Sequence, residues 1–140
     1  FCPREMVEQS LRYATILKLN DEEAQRFGTL LGTGEEETEL IRALFVQYHG
    51  LRCVLVTKGP RGCTAYSREA VREINECVSK AVDTVGAGDA FSAGLISGLL
   101  AGWDVFRSAR RGAILSDFVA ASSGALPAYP EELQAKLSAC

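Results

Sequence analysis

Residues 86–89 combine two glycines with a carboxylate, a combination that can handle a negatively charged group. Gly86, Ala87 and Gly88 form a Gly-Ala-Gly segment, and Asp89 follows at once. Glycine leaves no side chain to block a close approach, so the backbone N–H groups of such a turn can surround an anion. A neighbouring carboxylate can take a proton from an attacking hydroxyl group. The residue types alone leave two interpretations open, a site for phosphoryl transfer or a helix start at which Asp89 only complements the helix dipole.

The sequence on either side of this turn predicts a strand that leads into a helix. Residues 78–82 form a short apolar run typical of the end of a strand, and small residues then continue in a helical pattern to about Leu100. The first N–H groups of a helix have no partners within it, and the dipole adds positive charge there. A phosphate is therefore the expected guest.

The rest of the chain alternates helical and extended patterns, which predicts an α/β fold with a parallel sheet and crossover helices. The apolar run Cys53–Thr57 is typical of a strand buried on both faces. The other predicted strands cover residues 15–19 and a hairpin of 63–67 with 70–74, and the other predicted helices begin near residues 3, 20, 35, 104 and 131.

Composition excludes several classes of protein. The 140 residues carry a net charge of -3, which argues against a dedicated binder of nucleic acid or of anionic membranes, and they contain no apolar run of membrane length. The five cysteines include no Cys-x-x-Cys pair, so neither a zinc site nor a redox pair is predicted. Cys53 and Cys63 are expected to be buried thiols in a reducing, cytoplasmic compartment.

Residues 83–91, with the sequence Asp-Thr-Val-Gly-Ala-Gly-Asp-Ala-Phe, resemble the C-terminal signature of the ribokinase-like (PfkB-type) carbohydrate kinases. The resemblance implies a ribokinase-like three-layer αβα fold with a mostly parallel sheet, present here as its C-terminal half. It also implies that Asp89 is the catalytic base and that Gly86, Ala87 and Gly88 supply the amides of the anion hole.

Two further segments gain metal roles only from this resemblance. Asn20 and Glu23 have the spacing of a helix capping box, and taken alone they predict a cap. They also resemble the family's Asn-x-x-Glu motif, which implies that they organise Mg²⁺ through water. Asp83 is by the same resemblance a neighbour of a monovalent cation such as K⁺, although an Asx turn is an equal alternative.

The resemblance extends to the nucleotide site. Thr57, Gly59 and Gly62 match the family's Thr-x-Gly-x-x-Gly segment beside the ATP phosphates and ribose, and Gly124 lies in a Gly-Ala loop that resembles the one on the adenine side. Two departures concern adenine contacts. Residues 121–123 stand where many members have Thr-Arg, and the helix before them contains no Asn.

The chain starts at Phe1 without a methionine and matches only the C-terminal half of such kinases. We therefore expect residues 1–140 to be the nucleotide-binding and catalytic part, with the N-terminal sugar-binding part and lid absent. The implied activity is ATP-dependent phosphorylation of a hydroxyl of a sugar or sugar-like substrate, with fructokinase-like members favoured and a homodimer compatible with the full-length protein. The alternative is a non-catalytic fragment that binds nucleotide or a partner chain.

Overall fold

The computed structural model describes residues 3–76 and 80–140. The chain divides into two compact units. The first contains residues 3–59 and 64–72, and the second contains residues 60–63, 73–76 and 80–140. The sheet lies mostly in the first unit, and a helical layer makes up most of the second.

The first unit follows the predicted alternation of helix and strand. Asn20 ends a strand and also caps the helix that follows, and Gly32 ends that helix with a left-handed φ of 75°. The elements of the chain up to residue 76, some of whose residues belong to the second unit, are α1 (Arg4–Tyr13), β1 (Ile16–Asn20), α2 (Asp21–Leu31), α3 (Glu37–Gln47), β2 (Cys53–Thr57), a 3₁₀ turn (Gly59–Arg61), β3 (Cys63–Ser67) and β4 (Val71–Ile74).

The four strands form one sheet in the order β1-β2-β3-β4. β1 and β2 are parallel, with Ile16 opposite Cys53 and Asn20 opposite Thr57. Residues 53–56 of β2 are all buried, as expected for a parallel strand covered on both faces. The predicted α/β class with parallel pairing is therefore confirmed, and Cys53 and Cys63 are buried as predicted.

The helices of the first unit bury their apolar faces in a single core. Leu44 of α3 is fully buried, and Tyr48, which follows that helix, is only 6% exposed. α1 contributes its i, i+4 pair Val7 and Leu11, which matches the predicted helical period. The buried members of this core are Val7, Leu11, Leu19, Ala24, Leu40, Ile41, Leu44, Tyr48, Leu51, Val54, Val56 and Tyr66.

The second unit is dominated by two closely packed helices. Its helices are α4 (Ala87–Leu100), α5 (Val105–Ala120) and α6 (Glu131–Ser138). A Cβ atom added to Gly94 of α4 would lie 2.7 Å from the Cα atom of Gly112 in α5, so both backbones approach as closely as glycine allows. Asp104 caps α5 by accepting hydrogen bonds from the N–H groups of Phe106 and Arg107, at the predicted start of a helix.

The predicted strand over residues 78–82 is wrong for its described part. Residues 80–82 form no strand, and residues 78 and 79 lie outside the described residues. The N–H groups of Val82 and Asp83 instead donate to the carbonyl of Ala120, at 2.7 and 3.1 Å. The terminal carbonyl of a helix thus provides the acceptor that a neighbouring strand would have provided. In the described part of the chain, no helix is long and apolar enough to cross a membrane.

Candidate active site

The Gly-Ala-Gly turn is built on a left-handed glycine. Gly86 is the N-cap residue of α4, with φ 84° and ψ -10°, and no side chain caps the helix there. A Cβ atom on Gly86 would lie 2.8 Å from the Cβ atom of Ala125. Glycine is therefore required twice, once for its φ and once for its contact with the loop that includes Gly124.

The first amides of α4 divide into bonded and open donors. The Ala87 N–H donates to the Thr84 carbonyl at 3.2 Å, and the Ala90 N–H donates to the Gly86 carbonyl at 2.9 Å. Between them, the N–H groups of Gly88 and Asp89 have no acceptor among the described residues. Such unpaired donors at a helix start can bind an anion. Of the predicted amides, Gly88 is therefore better placed to donate than Ala87, and Asp89 adds a donor that the sequence analysis did not assign.

The Asp89 side chain lies at the surface in the first turn of α4. Among residues 3–76 and 80–140 it has neither an ion pair nor a hydrogen-bond partner. It is not packed among apolar side chains, so its carboxylate can be reached from solvent. An exposed carboxylate beside unpaired amides is compatible with a general base for an alcohol bound next to it, and the helix dipole favours its negative charge in either role.

Asp83 stabilises the turn that precedes α4. Its Oδ1 atom accepts a hydrogen bond from the N–H of Val85 at 3.0 Å, which closes an Asx turn. This bond confirms the structural alternative that the sequence left open. The role of Asp83 beside a monovalent cation stays a prediction.

Asn20 and Glu23 form a complete capping box. The Asn20 Oδ1 atom accepts from the Glu23 N–H and the Glu23 Oε2 atom accepts from the Asn20 N–H, both at 2.7 Å. Glu23 is exposed, and its Oε1 atom has no partner among the described residues. The residues therefore fit a hydrated Mg²⁺ held through water on one carboxylate oxygen, while the other oxygen belongs to the cap. In the described part of the chain no three His, Cys, Asp or Glu residues cluster as metal ligands.

Thr57 lies at the end of β2, directly opposite Asn20 at the end of β1. Its Oγ1 atom donates to the carbonyl of Leu19 at 3.3 Å. Both residues are half-buried, and they occupy the carboxyl ends of adjacent parallel strands, where open α/β sheets bind ligands. The structure thus brings together the predicted metal segment and the predicted nucleotide segment in the first unit.

A polar network that the sequence analysis did not predict surrounds Lys58. The Lys58 Nζ atom lies 2.9 Å from Glu37 Oε1 and 2.9 Å from Thr64 Oγ1. The hydroxyl of Tyr66 donates to the same Glu37 oxygen. No motif signals this network, because its members come from α3, from the residue after β2 and from β3, and they meet only in the fold.

The three other predicted glycines all have positive φ, which explains why glycine occupies each. The φ angles are 54° at Gly59, 82° at Gly62 and 82° at Gly124. Gly62 also packs tightly, since a Cβ atom there would lie 2.2 Å from the carbonyl oxygen of Ile74. Gly59 and Gly124 have open space at that position. Open glycines leave room for a ligand, whereas Gly62 is fixed by the backbone beside it.

The predicted residues fall into one group in each unit. Asn20, Glu23, Thr57 and Gly59 belong to the first, and Gly62, Asp83, Gly86–Asp89 and Gly124 belong to the second. A separate open groove of about 260 Å³ in the second unit contains none of them. It is lined by Ile114, Asp117, Phe118, Pro130, Glu132, Leu133 and Lys136.

Comparison with known proteins shows that the similarity to a known family extends well beyond the Gly-Ala-Gly turn. The model of the family described as pfkB family carbohydrate kinase matches residues 2–132. The chain is 36% identical over 98 residues to a probable chloroplastic fructokinase-6 of Arabidopsis thaliana, a match that covers 69% of this chain and 24% of that protein. It is 29% identical over 128 residues to an ATP-dependent 6-phosphofructokinase of Thermoanaerobacterium thermosaccharolyticum, covering 91% and 38%.

Solved structures give the same result for the fold. The crystal structure of Methanocaldococcus jannaschii nucleoside kinase, an archaeal member of the ribokinase family, matches with a TM-score of 0.79 and 25% identity. The match covers 99% of this chain and 44% of that kinase. The chain thus has the predicted ribokinase-like fold, and it spans less than half the length of these relatives.

Proposed function

Because this chain belongs to the pfkB family of carbohydrate kinases, we propose that it is the catalytic and nucleotide-binding part of an ATP-dependent kinase. The enzyme transfers a phosphoryl group to a hydroxyl of a sugar or sugar-like substrate. One observation carries this proposal. The exposed carboxylate of Asp89 has no partner among the described residues, and it follows a left-handed glycine turn at which the first amides of a helix are unpaired.

In this mechanism Asp89 accepts the proton of the acceptor hydroxyl as its oxygen attacks the terminal phosphorus of ATP. The new bond joins that oxygen to phosphorus. The bond that breaks joins phosphorus to the oxygen bridging it to ADP, which leaves with the electron pair. The amides of Gly86, Gly88 and Asp89 donate to the oxygens of the transferred group, where negative charge must be stabilised. A turn fixed before the substrate binds needs little reorganisation.

The family resemblance is the basis on which the nucleotide and its cations are assigned to the predicted residues. Thr57, Gly59, Gly62 and Gly124 border the nucleotide in this proposal, and Mg²⁺ supplies charge neutralisation when it is bound. Glu23 would hold a hydrated Mg²⁺ through water on its carboxylate, whose Oε2 atom also keeps α2 capped. Support for ATP comes from the printed name of the ATP-dependent relative. The assignment of K⁺ to a position beside Asp83 is proposed from the family resemblance.

The acceptor class follows from the relatives in a coarse form. They include a probable fructokinase, an ATP-dependent 6-phosphofructokinase and a nucleoside kinase, so their names indicate sugar or nucleoside acceptors. We propose a free keto sugar of the fructose type as the first substrate to test, with nucleosides as the comparison.

The proposed location is a reducing, cytoplasmic compartment. The buried, unpaired thiol of Cys53 is compatible with it.

A second candidate function is a non-catalytic module that binds nucleotide or a partner chain. The chain spans 24% and 38% of the length of the two relatives named above. In that case the polypeptide binds nucleotide without phosphorylating any sugar, even when the upstream part of the gene product is joined to it.

The test compares this chain alone with the same chain joined to its upstream coding sequence. Isothermal titration with MgADP measures binding, and a coupled ADP-release assay measures turnover with fructose, ribose and inosine. We expect weak nucleotide binding and poor turnover for this chain alone, and turnover with one acceptor for the longer polypeptide. Full turnover by the chain alone would contradict its assignment as a part of the enzyme. No turnover by the longer polypeptide, with nucleotide binding intact, would establish the second candidate.

A further inference from the structure

We infer that Glu37, Lys58, Thr64 and Tyr66 form a positioning network that fixes the backbone of residues 57–59. Lys58 acts on the proposed nucleotide site through this network and does not bind phosphate with its ammonium group. The inference rests on the proposed function in one respect, since it takes residues 57–59 to border the nucleotide.

The location of Lys58 first suggests a phosphate ligand. It stands between Thr57 and Gly59, directly after β2, and lysine is a common partner of phosphate groups. The structure directs its side chain elsewhere. Its Nζ atom lies 2.9 Å from a carboxylate oxygen of Glu37 and 2.9 Å from the hydroxyl oxygen of Thr64. Two of its three donor positions are therefore used within the protein.

The partners of Lys58 are themselves held in place. Thr64 is 5% exposed and Tyr66 is 8% exposed, so both belong to the interior of the first unit. The Tyr66 hydroxyl donates to the same oxygen of Glu37 that accepts from Lys58. Glu37 thus cannot turn away from Lys58 without also losing the bond from Tyr66.

The burial of this ion pair separates it from an ordinary surface pair. The side chains of Lys58 and Glu37 are 21% and 25% exposed, whereas the Arg42–Glu39 pair on the same helix is 73% and 51% exposed. A partly desolvated charge that loses its partner is left with a large penalty, and an exposed one is not. The Lys58 ammonium is therefore held in an ion pair with Glu37, and the Glu37 carboxylate neutralises its positive charge.

The network anchors residues 57–59 from three elements. Glu37 comes from α3, Thr64 comes from β3, and the Thr57 hydroxyl is tied to Leu19 of β1 at 3.3 Å. Gly59 follows with a positive φ of 54°, which glycine adopts without a steric penalty, and its amide is covalently next to Lys58, so it can report how Lys58 is held. Loss of Glu37 or of the Lys58 ammonium should loosen the same backbone.

The test measures the Gly59 amide in the variants Glu37→Gln, Lys58→Met and their double combination. Glu39→Gln is the matched control, because it breaks the exposed ion pair only two positions away on the same helix. Hydrogen exchange and the ¹H–¹⁵N shift of Gly59 are recorded without nucleotide. MgADP affinity is then measured by titration at a temperature at which circular dichroism shows every variant folded.

We expect both single variants to shift the Gly59 resonance and to weaken MgADP binding to a similar extent, about tenfold, because a looser turn must be ordered when the nucleotide binds. The double variant should be no worse than either single variant, because both remove one interaction. Glu39→Gln should match the wild type. Tyr66→Phe tests the same network from another residue, because it removes one hydrogen bond to Glu37 while keeping the ring.

Two results would overturn the inference. If Lys58→Met weakens MgADP binding while Glu37→Gln leaves it unchanged or tightens it, Lys58 is a direct phosphate ligand. If both variants lower stability while the Gly59 resonance and exchange stay as in the wild type, the network has a folding role only. A wild-type chain that binds no nucleotide would contradict the proposed function, and the Gly59 measurements would still decide whether the network positions the turn.

Discussion

Gly86 and Ala125 lie so close that a Cβ atom on Gly86 would come within 2.8 Å of the Ala125 Cβ atom and 3.1 Å of its carbonyl oxygen. The contact joins the turn before α4 to the Gly-Ala loop that follows α5. Both loops were predicted to take part in one site, and this contact links them within the second unit. The shape of the proposed anion hole therefore depends on Ala125, although Ala125 provides none of its proposed hydrogen-bond donors.

Gly86→Ala should destabilise the second unit and abolish any anion binding at the turn. The new methyl group meets Ala125, and the residue must also hold a positive φ, which alone costs about 1–2 kcal/mol. With the steric clash added, we expect a loss of roughly 3 kcal/mol or more, as for overpacked sites. Urea unfolding followed by the fluorescence of Trp103, the chain's one tryptophan, measures it.

Gly102→Ala is the matched control for this prediction. Gly102 has nearly the same backbone conformation, with φ 81°, but nothing lies within 4 Å of its added Cβ atom. We expect Gly102→Ala to lower the free energy of unfolding only by the cost of a positive φ, about 1–2 kcal/mol. Equal losses for the two variants would show that the contact with Ala125 contributes nothing.

Asp89→Asn should remove phosphoryl transfer in the longer polypeptide while leaving the fold intact. Asparagine keeps the size of the side chain but cannot accept the hydroxyl proton, so we expect turnover to fall by about 10²–10⁴-fold, the usual share of a general base. The exposed site and the absence of a described partner for the carboxylate predict a stability change within about 0.5 kcal/mol.

The competing role of Asp89 as a helix-dipole partner makes a different prediction. If Asp89 only complements the dipole, Asp89→Asn should lower stability by about 0.3–1 kcal/mol and leave turnover nearly unchanged. Steady-state assays with MgATP at saturation separate the two roles, because only the catalytic role predicts a large loss of turnover, and thermal unfolding checks that the variant is folded. A variant that loses both turnover and MgADP binding would indicate a structural role for the carboxylate.

Local patterns in the sequence predicted the elements whose causes are local. The strand Cys53–Thr57 was predicted at its observed bounds because its apolar run is continuous. The capping box of Asn20 and Glu23 was predicted from a spacing of three residues, and both of its hydrogen bonds are present. These features require no knowledge of the rest of the fold.

Features that depend on distant residues escaped prediction. The pattern predicts a strand at Val82, but its N–H donates to the carbonyl of Ala120 at the end of α5. Lys58 meets Glu37 from 21 residues away, and no motif marks that pair. The sequence also suggested three amides for the anion hole, while the fold uses the Ala87 amide for the turn itself. Tertiary contacts decide each of these cases.

Tyr48 and Tyr66 offer a test of the polar interior of the first unit. The Tyr48 hydroxyl is buried without a hydrogen-bond partner among the described residues, and burial raises the pKa of this tyrosine, with Glu8 adding to the effect. Tyr48→Phe removes an unsatisfied polar group, so we expect it to raise the free energy of unfolding by about 0.5–1 kcal/mol.

Tyr66→Phe should have the opposite effect, because its hydroxyl donates to Glu37. A hydrogen bond to a charged group contributes about 1.5–3 kcal/mol, so a loss near the lower end of that range is expected. Both variants change a single hydroxyl group and keep the ring. Urea unfolding followed by circular dichroism compares them, and a shared direction of change would contradict the assigned difference in hydrogen bonding.

Glu23→Gln separates the cap of α2 from the proposed cation role of the same residue. Glutamine also completes a capping box, so its side chain can still accept the Asn20 N–H that Glu23 now accepts at 2.7 Å. The negative charge is lost, which costs at most about 1 kcal/mol at a helix N-terminus. A neutral amide holds the water shell of Mg²⁺ more weakly than a carboxylate. We therefore expect near-normal stability, together with a higher Mg²⁺ requirement for nucleotide binding, measured by titrating ADP at several Mg²⁺ concentrations.

Asn20→Ala is the reverse control, since loss of the cap should lower the free energy of unfolding by about 1 kcal/mol. An unchanged Mg²⁺ requirement in Glu23→Gln would leave Glu23 with the cap as its only role.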